Sequence, residues 1–94
     1  MYSDEELLKY LKMLTWDTTL TEHDLLKLLK SGRDEVNHND LNTLYIKILN
    51  WFSWHKVRRI IPHDKLKEAL ADTIIRGLFP RPLRDKYRYV RSLL

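Results

Sequence analysis

Three features of the sequence predict an all-α fold, a small single-domain bundle of about five to six helices with no sheet. Apolar residues recur at helical spacing in one segment after another. Most segments open on a side chain that caps helices. No stretch alternates apolar and polar residues between turn residues at strand spacing. The chain has 94 residues, 44% of them apolar and 32% charged, the proportions of a soluble globular protein. That length suits one domain, and folding would remove roughly 60–65% of the unfolded surface from water.

The first helix is expected over residues 3–14. Ser3 and Glu6 form a capping box, Tyr2 and Leu7 stand at staple positions, and Leu7, Tyr10, Leu11 and Leu14 share one face. The same pattern returns at Thr21 and Asp24, with Leu20 and Leu25 as the staple. Leu25, Leu28 and Leu29 then face inward, and Gly32 supplies a stop. Residues 3–12 and 21–30 resemble each other closely, but two copies are too few for a solenoid. They read as two amphipathic helices obeying one set of rules.

A third start lies at Asn37 with Asp40, and Val36 and Leu41 form its staple. Leu41, Leu44, Tyr45, Ile48, Leu49 and Phe52 follow at helical spacing, marking the central helix. Leu44, Ile48, Leu49, Phe52 and Leu70 are expected in the core. Ser53 recaps the chain, with Phe52 and Val57 as staple, for a short helix ending at Ile61 before Pro62. A short helix follows over residues 63–71, with Leu66 and Leu70 inward. Asp72 is expected to cap a further one or two turns over residues 73–78. Phe79, Pro80, Arg81 and Pro82 make a stiff connector, and Pro82 suits the first position of a last helix.

Composition excludes several kinds of chemistry. The chain has no cysteine, hence no disulfide, thiolate metal site or cysteine nucleophile, and a cytoplasmic setting is expected. Its two glycines, Gly32 and Gly77, lie too far apart for a phosphate-cradling loop. The first residues are acidic, unlike a signal peptide, and no apolar run reaches the ~18 residues of a membrane span. His23, His38, His55 and His63 show no ligand spacing, so no metal is expected, and nothing asks for a cofactor. Ser3 and Ser53 read as caps, and a small bundle offers little concave volume. The expectation is a non-catalytic protein.

Charge carries the remaining information. Residues 1–50 hold six Lys/Arg against nine Asp/Glu, and residues 51–94 hold eleven against four, so −3 gives way to +7. Such asymmetry speaks to partners rather than to fold. In the last helix Leu83, Tyr87, Val90 and Leu94 form an apolar seam beside a stripe of Arg84, Arg88 and Arg91, with Lys86 and Arg81 adding charge. Trp51, Phe52 and Trp54 interleave with His55, Lys56, Arg58 and Arg59, the mixture that binds single-stranded nucleic acid. The plainer expectation is that Trp51 and Trp54, like Trp16, plug helix–helix joints in the core. Asn37, His38, Asn39, Asn42, Thr43 and Asn50 surround one helix. Their acidic setting and capping positions argue against base reading.

Two functions follow as expectations. One is a protein-interaction module whose basic half docks an acidic or helical protein, since Tyr and Arg dominate binding hot spots. Arg58, Arg59, Arg81, Arg84, Arg88, Tyr89 and Arg91 are the candidate surface, with Tyr87 beside them. The other is a small repressor- or antitoxin-like regulator that uses the same half against nucleic-acid phosphates.

Overall fold

The computed structural model describes residues 2–16, 18–31 and 40–94, and among these it shows seven α-helices and no strand. They are α1 (Asp4–Lys12), α2 (Glu22–Ser31), α3 (Asp40–Trp51), α4 (Trp54–Ile60), α5 (Leu66–Ala69), α6 (Asp72–Ile75) and α7 (Arg81–Ser92). A 3-10 turn, His63–Lys65, leads into α5. Because α5 and α6 are single turns, five longer helices make the bundle, in line with the apolar spacing.

The first two helices start where their capping side chains place them. The Glu6 amide donates to Ser3 Oγ at 3.3 Å, and the Glu6 carboxylate accepts from the Ser3 amide at 3.4 Å. Thr21 and Asp24 repeat this exchange: the Asp24 amide donates to Thr21 Oγ1 at 3.2 Å, and the Thr21 amide donates to Asp24 Oδ2 at 3.0 Å. These bonds to Thr21 hold the Asp24 carboxyl below its ordinary pKa. Lys30, at the end of α2, lies 2.8 Å from the Asp4 carboxylate at the start of α1. The two helices therefore pack antiparallel within one chain, each charge complementing a helix dipole. Gly32 and the start expected at Val36 and Asn37 lie outside the described residues.

Seven helices contribute to one apolar cluster, with α3 supplying the most side chains. Leu41, Leu44, Tyr45, Ile48, Leu49 and Phe52 are all buried, as the spacing predicts, and so is Leu70. Among the described residues no charged side chain is buried. The radius of gyration is 12.4 Å, against about 12 Å expected for a compact chain of this length. Behind α6 the chain passes close to α3 at Gly77, where an added Cβ would stand 2.6 Å from Ile46 Cδ1.

Local expectations needed correction at six residues, one of them Leu94, expected on the seam of the last helix but 45% exposed beyond its end. Asp72 does not cap α6; Ala71 does, in extended conformation, and Asp72 is the first helical residue. Its carboxylate is engaged instead by Arg91 at 3.6 Å and Arg76 at 3.9 Å. Ser53 stands at the N-cap of α4 without a side-chain capping bond, although its carbonyl accepts from the Val57 amide at 2.9 Å. Pro82 is second rather than first in α7, because Pro80 takes the cap after a cis Phe79–Pro80 peptide. Two of the three tryptophans are not core plugs: Trp51 is 58% exposed and Trp16 68%. The wheel that sets Phe52 on the seam sets Trp51 one turn from Lys47, away from the core. Only Trp54 fills a joint, its ring 6.0 Å from that of Tyr87 in an edge-to-face contact.

Candidate interaction surface

α4 and α7 meet through Trp54 and Tyr87, and this contact positions the basic half of the molecule. α4 buries Val57 and Ile60, so at 100° per residue His55, Lys56, Arg58 and Arg59 turn outward. α4 contains no acidic residue. α7 buries Tyr87 completely and half-buries Leu83, Arg84 and Val90; its other residues are exposed.

The seven candidate residues separate into two groups. Arg59 turns toward α1, where its guanidinium lies 5.6 Å from the Tyr2 ring and its carbonyl accepts from the Tyr2 amide at 2.9 Å. Lys56 stands over Tyr10 in the same way at 5.3 Å. The ring of Tyr10 in turn lies 5.0 Å from that of Tyr2 and 5.6 Å from that of Phe52. A hydrogen bond with Tyr2 and desolvation raise the pKa of Tyr10. Arg84 folds back: its Nε donates to the Leu78 carbonyl at 2.6 Å, closing the chain end behind α6. Arg91 reaches Asp72. Of the seven candidates, Arg59, Arg84 and Arg91 thus make contacts that join one element of the fold to another.

The remaining four face solvent. Arg58 and Arg81 are exposed and, among the described residues, make no ion pair. Arg88 is paired only with its helix neighbour Asp85, at 3.6 Å. Tyr89 is 58% exposed. The expected stripe of Arg84, Arg88 and Arg91 is thus divided: half-buried Arg84 bonds the Leu78 carbonyl and exposed Arg91 the Asp72 carboxylate, while Arg88 pairs only along its own helix. Lys86, given only a supporting part by the sequence, joins the outward group. Among the described residues every ion pair stays within its own half of the chain, so α7 is not neutralised by the acidic first helices.

Sequence reasoning missed three exposed aromatics. Lys47 lies over the Trp16 ring at 5.9 Å, and Trp51 is one turn further along α3. The Phe79 amide donates to Asn50 Oδ1 at 3.2 Å. Wheel position alone could have found Trp51; no sequence signal marks the other two. Of the amide cluster, Asn42 and Thr43 are exposed, and Asn37 to Asn39 lie outside the described residues. His23, His55 and His63 are exposed, and among the described residues no three His, Asp or Glu side chains gather to hold a metal. Among the described residues no helix is long and apolar enough to cross a membrane.

Among the described residues the protein is all-helical, and α4 and α7 expose Arg58, Arg81, Lys86, Arg88 and Tyr89. Compared with known protein families, curated proteins and solved structures, the chain matches none.

Proposed function

We propose that this protein is a non-catalytic binding module whose basic C-terminal half docks an acidic protein surface. One observation carries this reading: Arg58, Arg81, Lys86, Arg88 and Tyr89 stay on the outside, while the ion pairs of that half are drawn from within it. Arginine forks and tyrosine rings are the side chains that contribute most when buried against a partner. A cytoplasmic setting fits the absence of cysteine.

The test is binding of polyglutamate-rich peptides, followed by amide shifts in the intact chain. Arg81→Ala with Arg88→Ala is expected to weaken binding about tenfold while leaving thermal unfolding unchanged. Equal binding by wild type and variant would remove the reading.

Exposure of Trp51 next to the cations of α4 favours a second reading, a small nucleic-acid-binding regulator. Stacked bases and neutralised phosphates would then give log K a steep dependence on log salt. A fluorescent single strand titrated at several salt concentrations checks it, with Trp51→Ala and Arg58→Ala expected to weaken binding. Failure of any such probe to bind at low salt eliminates it.

A further inference from the structure

Where α6 meets α7, two arginines from different helices converge on one acid. Asp72 Oδ1 lies 3.6 Å from Arg91 Nη1, and its other oxygen, Oδ2, lies 3.9 Å from Arg76 Nη2. All three side chains are exposed. Both separations exceed the roughly 2.7–2.9 Å of a charge-assisted hydrogen bond, so neither guanidinium closes its fork on the acid. Two positive charges against one carboxylate leave one positive charge over. Arg88 stands three residues before Arg91, a neighbour on the same helix surface, and pairs only with Asp85.

We infer that Arg76 and Arg91 form the seat of a phosphorylated side chain of the partner protein, a seat that Asp72 fills in the free chain. The inference rests on the docking reading above and names the group that is recognised. Charge selects the occupant. Asp72 is tethered beside both arginines, so any incoming acid competes with a carboxylate at high local concentration. A partner's Asp or Glu brings the same single charge and gains nothing by the exchange. A phosphodiester of a nucleic acid is singly charged too. A phosphomonoester carries close to two charges and three strong acceptor oxygens, enough to match both guanidiniums and take a fork from each. The ion pairs it displaces are exposed ones, which hold weakly. At 100° per residue Arg88 and Arg81 lie within about 80° of Arg91 on α7. A protein segment bearing the phosphoryl group covers them as well, whereas a free phosphate leaves them bare.

The experiment titrates the intact chain with two fluorescein-labelled degenerate peptide pools, one centred on phosphoserine and the other on glutamate. The phosphoserine pool is expected to bind about tenfold tighter and to shift the side-chain resonances of Arg76 and Arg91. Arg91→Lys keeps the charge but loses the fork, and is expected to bring the two pools to equal affinity. Asp72→Asn removes the internal acid and is expected to tighten the phosphoserine pool about threefold; weaker binding by this variant would overturn the inference. Circular dichroism and thermal unfolding check the fold, and Arg76→Lys reads the same seat from α6 if Arg91→Lys loosens α7. Equal binding of the two pools by wild type, weakened alike by Arg88→Ala, would overturn phosphoryl recognition and leave the docking reading standing. Binding of neither pool would overturn both. Inorganic phosphate that competes the phosphoserine pool away at equal concentration would assign the seat to a small anion. A single-stranded oligonucleotide held through Arg76 and Arg91 would assign it to a nucleic acid, and either result displaces the inference.

Discussion

Tyr87 is the residue whose chemistry disagrees most with its surroundings. Its ring is fully buried against Trp54, its hydroxyl has no hydrogen-bond partner among the described residues, and burial raises its pKa. An unsatisfied buried hydroxyl costs free energy that a phenyl ring of the same shape does not. Tyr87→Phe is expected to raise unfolding stability by about 1 kcal/mol in a urea titration; a loss of that size would mean the hydroxyl has a partner. The sign of the pH effect follows. In the unfolded chain the phenol releases its proton near its ordinary pKa of about 10, before the folded one does. Stability is therefore constant below that pH and falls above it, and Tyr87→Phe removes this share of the alkaline loss. Two neighbours on α3 make a sharper pair. Leu49→Ala empties part of the core and is expected to cost ~2–5 kcal/mol. Trp51→Ala, despite its larger side chain, is expected to cost less than about 1 kcal/mol because most of it is already in water. If chemical denaturation ranks the two the other way, the assigned face of α3 is wrong.

At the level of elements, legibility depended on how local each signal was. The starts of α1 and α2 were readable because Ser3 with Glu6, and Thr21 with Asp24, satisfy helix amides only three residues away. The buried face of α3 was readable from periodicity. The fate of Asp72 was not, since Arg91, the residue that draws it off its capping role, lies 19 positions later in a different helix. Arg84 was unreadable for the same reason: its inward turn is set by the Leu78 carbonyl, a backbone group the sequence does not advertise. Of the candidate surface, the charge of α4 and α7 was legible, while its division into fastening and outward cations needed the packing. The caps carry a pH prediction. The lowered carboxyl of Asp24 supports α2 above about pH 4, its ordinary range, and that support is lost as pH falls through the lowered folded value. Asp24→Asn is expected to flatten this acid-side loss, followed through the Thr21 amide resonance. Where α6 approaches α3, Gly77→Val is expected to destabilise by ~1–3 kcal/mol because Ile46 must leave its rotamer, a change read in thermal unfolding.

Over the whole molecule, the two ends are held in different ways. α1 and α2 are joined through leucines and one ion pair, and α3 is embedded in the shared core. α7 buries Tyr87 against Trp54 and lays Leu83 and Val90 on the core, Arg84 ties it to the Leu78 carbonyl, and Arg91 shares the exposed Asp72 carboxylate of α6 with Arg76. Electrolyte screens exposed ion pairs of this kind and leaves apolar packing intact. Rising ionic strength is therefore expected to weaken the Asp72 tie between α6 and α7, as it does the Lys30–Asp4 pair of α1 and α2, while the buried apolar contacts hold. Amide hydrogen exchange in concentrated sodium chloride should quicken along α7 while the amides of α3 keep their protection.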